Sequence, residues 1–149
     1  MPFSTILAQV KAILEGVNGV ENVYDYPRYT ADLTTLKSLG QTTTNKFQLW
    51  FIERTAAPAI ANAQNQVFRL HEFTLWGFYA LEDSTASEKT FQALLDNVMD
   101  AFDANITLNS TVDNQPQAAQ LLEKADVEFA GILCHRARIK ITAEEEVTQ

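Results

Sequence analysis

His71, His135 and Cys134 carry most of the reactive chemistry available to this chain. Each histidine sits at alternating spacing in a strand-like segment, where the plainer reading is an imidazole half-buried in a sheet. Cys134 and His135 are adjacent, so a strand points them to opposite faces. That is poor geometry for a thiolate–imidazole pair or a shared metal. Cys134 is the only cysteine, which excludes an intramolecular disulfide and a multi-cysteine zinc site. Asp96, Asp100 and Asp103 follow Glu88 and Gln92 along one face of a helical segment. Carboxylates at that spacing can hold a hard cation, but they are also the polar face that any amphipathic helix needs. The chain has no glycine-rich phosphate loop, GxSxG elbow or HExxH pair. The expectation is no catalytic residue, no metal and no cofactor.

Arg136, Arg138 and Lys140 form a row on one strand face, about 6–7 Å apart in a regular strand. A row of cations can contact phosphate. This one is short, has no second basic element, and belongs to a chain of net charge −8 with a pI of about 4.6. Nucleic-acid binding needs a broader basic footprint. Cross-strand pairing with acids such as Glu123 and Glu128, within or between subunits, is the stronger expectation.

The elements that must position these groups read clearly in places. Ser4 is a candidate N-cap for a first helix, with Ile6, Leu7, Val10, Ile13, Leu14 and Val17 on one stripe and Gly16 and Gly19 as the stop. A short strand at Val20–Tyr24 ends before Pro27. Residues 30–45 are either a short helix along Leu33, Leu36 and Leu39 or a loop. Strands are expected at Phe47–Arg54 and Val67–Leu81, separated by a polar loop at 55–66 around Pro58. The capping-box spacing of Thr85 and Glu88 opens a second helix, with Phe91, Leu94, Leu95, Val98 and Phe102 on one face. A polar loop at 105–118 leads to a strand at Ala119–Phe129, a turn at Gly131 and a last strand at Ile132–Thr142. Residues 143–149 read as an acidic mobile tail. The order implies one α+β domain spanning 1–149, a mostly antiparallel sheet of four to five strands with two main helices packed on one face.

The central strands are apolar on both faces. Phe47, Leu49 and Phe51 oppose Trp50 and Ile52, and Phe73, Leu75, Tyr79 and Leu81 oppose Trp76 and Phe78. Two helices cover one face. The loops at 30–45 or 105–118 can fold over the other, or a neighbouring subunit can cover it. The second option makes Trp50, Trp76 and Phe78 subunit or partner contacts, with Arg136, Arg138 and Lys140 beside them.

An apolar content of 46% argues against overall disorder. The acidic balance argues against an anionic membrane surface. The first sixteen residues read as a helix and not a signal peptide, because Lys11 interrupts the apolar run and no basic region precedes it. The most apolar window, Phe73–Leu81, is too short to cross a membrane as a helix. The sequons at Asn105 and Asn109 read as an Asn-rich loop. The single cysteine fits folding in a reducing cytoplasm.

The layout FSTILAQVKAILEGVNGV, VYDYPRY and WFIER, followed by HEFTLWGFYALEDSTASEKTFQALLDNVMDAF and FAGILCHRARIKI, resembles small tail proteins of long-tailed bacteriophages. The resemblance implies a tail terminator or tail completion protein, a non-enzymatic virion subunit. Such proteins form a ring, commonly a hexamer, at the head-proximal end of the tail tube. The ring stops tube polymerisation and docks the head connector. The partners implied are further copies of the chain, the tail tube protein and the connector, with DNA passing through unbound. The implied location is the virion tail, after synthesis in the host cytoplasm. Another head–tail neck or minor tail protein, or a cytoplasmic α+β binding domain or enzyme, is the alternative. A deep pocket holding His71 or His135 beside a carboxylate is the feature that favours an enzyme.

Overall fold

A long two-stranded ribbon organises the molecule in the computed structural model, which describes residues 2–28, 33–42, 46–61 and 66–147. In chain order the elements are α1 (Phe3–Glu15), β1 (Val23–Tyr24), α2 (Leu33–Leu39), β2 (Gln48–Ala56), β3 (Ala59–Ala61), β4 (Val67–Ala80), a 3-10 turn (Asp83–Thr85), α3 (Ser87–Asp103), β5 (Gln120–Phe129) and β6 (Ile132–Val147). The ribbon is β4 against β6, paired from Val67↔Val147 to Ala80↔Cys134. The sheet order is β1-β2-β4-β6-β5, with β3 added beside the start of β4. Every pairing is antiparallel except β1 on β2. This is the expected α+β class: among the described residues β1-β2-β4-β6-β5 make a five-strand path, with β3 a short addition off it. Among the described residues no helix is long and apolar enough to cross a membrane.

Four local expectations change. The first helix starts at Phe3, with Pro2 at its N-cap and no side-chain cap, so Ser4 lies inside the first turn. The carbonyl of Pro2 accepts the first intrahelical bond, from Ile6, and also the N–H of Thr5, which satisfies one of the orphan donors there. The Thr85–Glu88 capping box does not form. Thr85 falls in the 3-10 turn, and Ala86, in the left-handed region at φ 55°, takes the N-cap position. The loop expected at 55–66 contains the end of β2 and all of β3. Beyond the bulge at Arg54/Ala56 the edge of β4 is open, and Ala59–Ala61 pair with it. Residues 62–65 lie outside the described ones. Finally, residues 143–147 are not a mobile tail. They continue β6 opposite Val67–His71, and Asp113 and Asn114 bond Glu144 from the other side. Thr148 and Gln149 lie outside the described residues.

The helix stripes meet one sheet face. Ile6, Val10 and Leu14 of α1 and Phe91, Leu94, Leu95, Val98 and Phe102 of α3 share one core with Trp50, Ile52, Phe73, Leu75, Ile139 and Ile141. Trp50 lies at its centre and is fully buried. Its ring lies across Gly77, where a Cβ would come within 2.7 Å of it. Its indole N–H donates to Gln48 Oε1 at 2.8 Å, and that oxygen also accepts from Glu21 N–H. The expectation that Trp50 contacts a partner is therefore corrected: the strand alternation was right, but this face is the one the helices close.

The opposite face carries a second, smaller core of Phe47, Leu49, Phe51, Phe78 and Cys134. Its lid is Phe129, stacked on Phe78 at 4.2 Å and reaching Phe51 and Phe47 at 6.3 and 6.1 Å. In a flat sheet β5 and β2 stand about 14 Å apart, three strand spacings. The ring contacts mean that the sheet coils about this face. Leu39 of α2, Tyr24 and Ile132 complete the cover. Phe78 is only 5% exposed, so it too is corrected from partner contact to interior residue. Of the two loops expected to fold back, the 30–45 region supplies α2. The 105–118 loop instead buries Leu108 and Val112 in the first core.

Candidate functional site

Strand alternation and register build an outer patch beyond the second core. Trp76 of β4 faces Arg138 of β6, and Thr74 faces Lys140. Trp76 stays half-buried. The Arg136 and Arg138 guanidiniums lie 5.7 and 5.5 Å from its ring centre. Arg136 Nη2 donates to Glu123 Oε1 at 2.5 Å, Arg138 Nη2 to Glu123 Oε2 at 3.4 Å, and Lys140 Nζ pairs with Glu72 at 3.1 Å. The hydrogen bond from Arg136 holds the Glu123 carboxyl below its ordinary range. The expected pairing of the basic row with Glu123 is present. Glu128 takes no part, because alternation along β5 from Glu123 puts residue 128 on the other face. Four of the six expected contact residues, Trp76, Arg136, Arg138 and Lys140, thus share one surface.

The other sheet face carries a polar cluster. His135 of β6 is buried, stacked on Phe91, and bonded at both ring nitrogens. Its Nε2 lies 2.8 Å from Ser87 Oγ, and its Nδ1 lies 2.7 Å from Asp126 Oδ1 and 3.3 Å from Glu88 Oε2. The Lys124 ammonium bridges Glu88 and Asp126. Burial pulls its affinity for a proton down, but the two carboxylates outweigh this and hold it above the ordinary lysine value. Lys124 in turn pushes Asp126 and Glu88 below theirs. A cavity of about 220 Å³ lies alongside, lined by Leu81, Asp83, Ala86 and the cluster itself.

Ser87, His135 and Asp126 stand in the order of a nucleophile relay. Ser87 Oγ, however, also accepts the Glu82 N–H at 2.7 Å, and Ser87 is 4% exposed. A hydroxyl so placed fastens the start of α3 to β6. His135 stands out in the sequence, while no motif marks Ser87 and Asp126 as its partners. A signal existed for Asp126: Ala130 and Gly131 both have positive φ, a two-residue hairpin turn that sets Asp126 directly opposite His135.

The second histidine has a different setting. His71 is buried against Phe3 and Phe73, whose rings also meet each other. Arg54, always a donor, lies 3.4 Å from Nδ1, so that nitrogen accepts and Nε2–H donates to Glu145 at 3.3 Å. Burial, opposed by Glu145 and reinforced by Arg54 and Arg69, lowers the imidazole below its ordinary 6.5. The fold therefore holds the neutral ring. Its contribution to stability is complete above the unfolded value of about 6.5 and is lost as pH falls through that value towards the lower folded one. Thermal melts taken from pH 7.5 down to pH 5 should show a falling midpoint, and His71→Gln should flatten that slope. Cys134 faces away from His135 into the second core, where burial raises its thiol to about 12 and leaves it unreactive.

No family model matches the chain, and no curated protein matches it.

Proposed function

We propose that the chain is a non-enzymatic subunit of a bacteriophage tail: a tail terminator that forms a ring on the head-proximal end of the tail tube, stops its polymerisation and receives the head connector. The name of the assembly comes from the resemblance of the segments around His71–Phe102 and Phe129–Ile141 to small phage tail proteins. The observation that carries an assembly role is the patch of Trp76 between Arg136 and Arg138. Tryptophan and arginine dominate the energetic centres of protein interfaces, and a half-open indole flanked by guanidiniums is suited to docking. The ion pairs around it are exposed enough to contribute little to the fold of a single chain, so they are free to rearrange against a neighbour. A closed ring needs only a heterologous contact, with no twofold axis. The net charge of −8 suits a channel through which DNA passes without being held.

Light scattering combined with negative-stain imaging tests this reading. The wild-type protein should form closed rings whose mass is a multiple of 16.7 kDa. Trp76→Ala and Arg138→Glu should each weaken assembly by at least about tenfold while leaving circular dichroism unchanged, the loss of a moderate hot spot. Rings that form equally well in both variants place the contact elsewhere.

A further inference from the structure

We infer that Glu88, Asp126 and His135 form a binding site for a divalent transition-metal ion, with Zn²⁺ the best fit. Among the described residues these three bring one ligand atom each, all within 4.8 Å of one another. They come from three separate elements, α3, β5 and β6, so an ion here ties the first turn of the helix to the edge hairpin. One imidazole nitrogen with two carboxylate oxygens suits zinc, with water as the fourth ligand.

The geometry needs little adjustment. Zinc bonds of about 2.0–2.2 Å set tetrahedral ligand atoms roughly 3.3 Å apart. His135 Nδ1 and Glu88 Oε2 already stand 3.3 Å apart, and Asp126 Oδ1, at 2.7 Å from Nδ1, has only to move outward. Both carboxylates are on the exposed side of the cluster, where they can shift.

The outer support is also in place. For Nδ1 to ligate, the ring proton must sit on Nε2, and Ser87 Oγ is there at 2.8 Å to accept it. That oxygen accepts the Glu82 N–H as well, and its two lone pairs serve both donors. An anchored second nitrogen is the usual support of a metal-bound histidine. A cation already marks the focus of the site: the Lys124 ammonium bonds both carboxylates. Zinc binds by displacing it, and the lysine stem can swing to solvent. Binding therefore releases no covalent partner and needs no redox step. It exchanges one cation for another and frees the Nδ1 proton where that nitrogen carries it.

The test is titration of the purified chain with ZnCl₂ against a chromophoric chelator, with Co²⁺ absorption as a second readout. The expected result is one ion per chain, with affinity at least tenfold weaker in Glu88→Gln and in Asp126→Asn, and at least tenfold tighter in Lys124→Met. Co²⁺ should give ligand-field bands of a low-symmetry four- or five-coordinate site, and Zn²⁺ should raise the melting temperature of Lys124→Met more than that of wild type. Three results overturn the inference: no stoichiometric binding even in Lys124→Met, binding that survives both carboxylate variants, or a Co²⁺ spectrum identical to that of the hexaaquo ion. The two carboxylate positions are exposed, so those variants are expected to fold. The outcome is independent of whether the chain forms rings.

Discussion

Gly77→Ala should destabilise the protein by about 2–3 kcal/mol, a large share of the stability of a domain this size. A Cβ at residue 77 would lie 2.7 Å from both Cη2 and Cζ3 of Trp50 and 3.1 Å from Cε3. Such contacts force one group to move, and the indole has nowhere to go. It is fully buried and its N–H is tied to Gln48. Chemical denaturation of Gly77→Ala, Trp50→Leu and the double variant gives the interaction directly. The double variant should be more stable than the sum of the single losses predicts, because the smaller side chain at 50 leaves room for the methyl group. Strict additivity would mean that the close approach of β2 and β4 here does not limit the core. The same experiment separates the two roles considered for Trp50. A residue whose removal unfolds the monomer is holding the chain together before any partner arrives.

Phe129→Ala should cost about 3–4 kcal/mol, the usual range for removing a well-packed phenylalanine. It should also make the protein bind a hydrophobic dye. Phe129 is the lid over Phe47, Phe51 and Phe78, with Tyr24, Leu39 and Ile132 completing the cover at its margins. The result decides how the second sheet face is closed. If the chain closes it, as the stacking at 4.2 Å implies, the loss appears as monomer stability in equilibrium denaturation. If a neighbouring subunit closes it, the variant folds normally and loses assembly instead.

The two-faced apolar strands were plain in the sequence, and so was the pairing of faces: Trp50 with Ile52, and Phe47 with Leu49 and Phe51. What alternation does not reveal is curvature. A flat sheet leaves Phe78 needing a cover, and the inference of a partner followed from that picture. Coiling brings Phe129 from the far edge over β2, and such a contact depends on sheet twist, which no residue pattern encodes locally. Helix α3 was legible in its stripe but not in its cap, because the left-handed Ala86 and the bond from the Glu82 N–H to Ser87 depend on where β6 lies. The acidic run 143–147 looked like a tail because charge was read without its partners. Glu145 meets His71 across the ribbon, a pairing of residues 74 positions apart that is set by the register of the two strands. That Trp76, Arg136, Arg138 and Lys140 share one face was the most legible part of the site. The basic residues alternate along one strand, and one face of one strand is what a sequence states most directly. The cluster around His135 was half legible, since the turn at 130–131 fixes Asp126 opposite it while Ser87 and Glu88 arrive from a helix.

An assembly role for the Trp76 patch and a tail-terminator function make different demands, and only the second requires recognition of a tube end. The direct measurement is length control. Purified tail tube protein polymerises in the presence of increasing amounts of this chain, and electron micrographs record tube lengths and end-on rings. The account predicts tubes that stop growing, with one ring at one end only, and no effect from Arg138→Glu at the same concentration. Tubes that lengthen at the same rate with and without the chain, with bare ends, would contradict it.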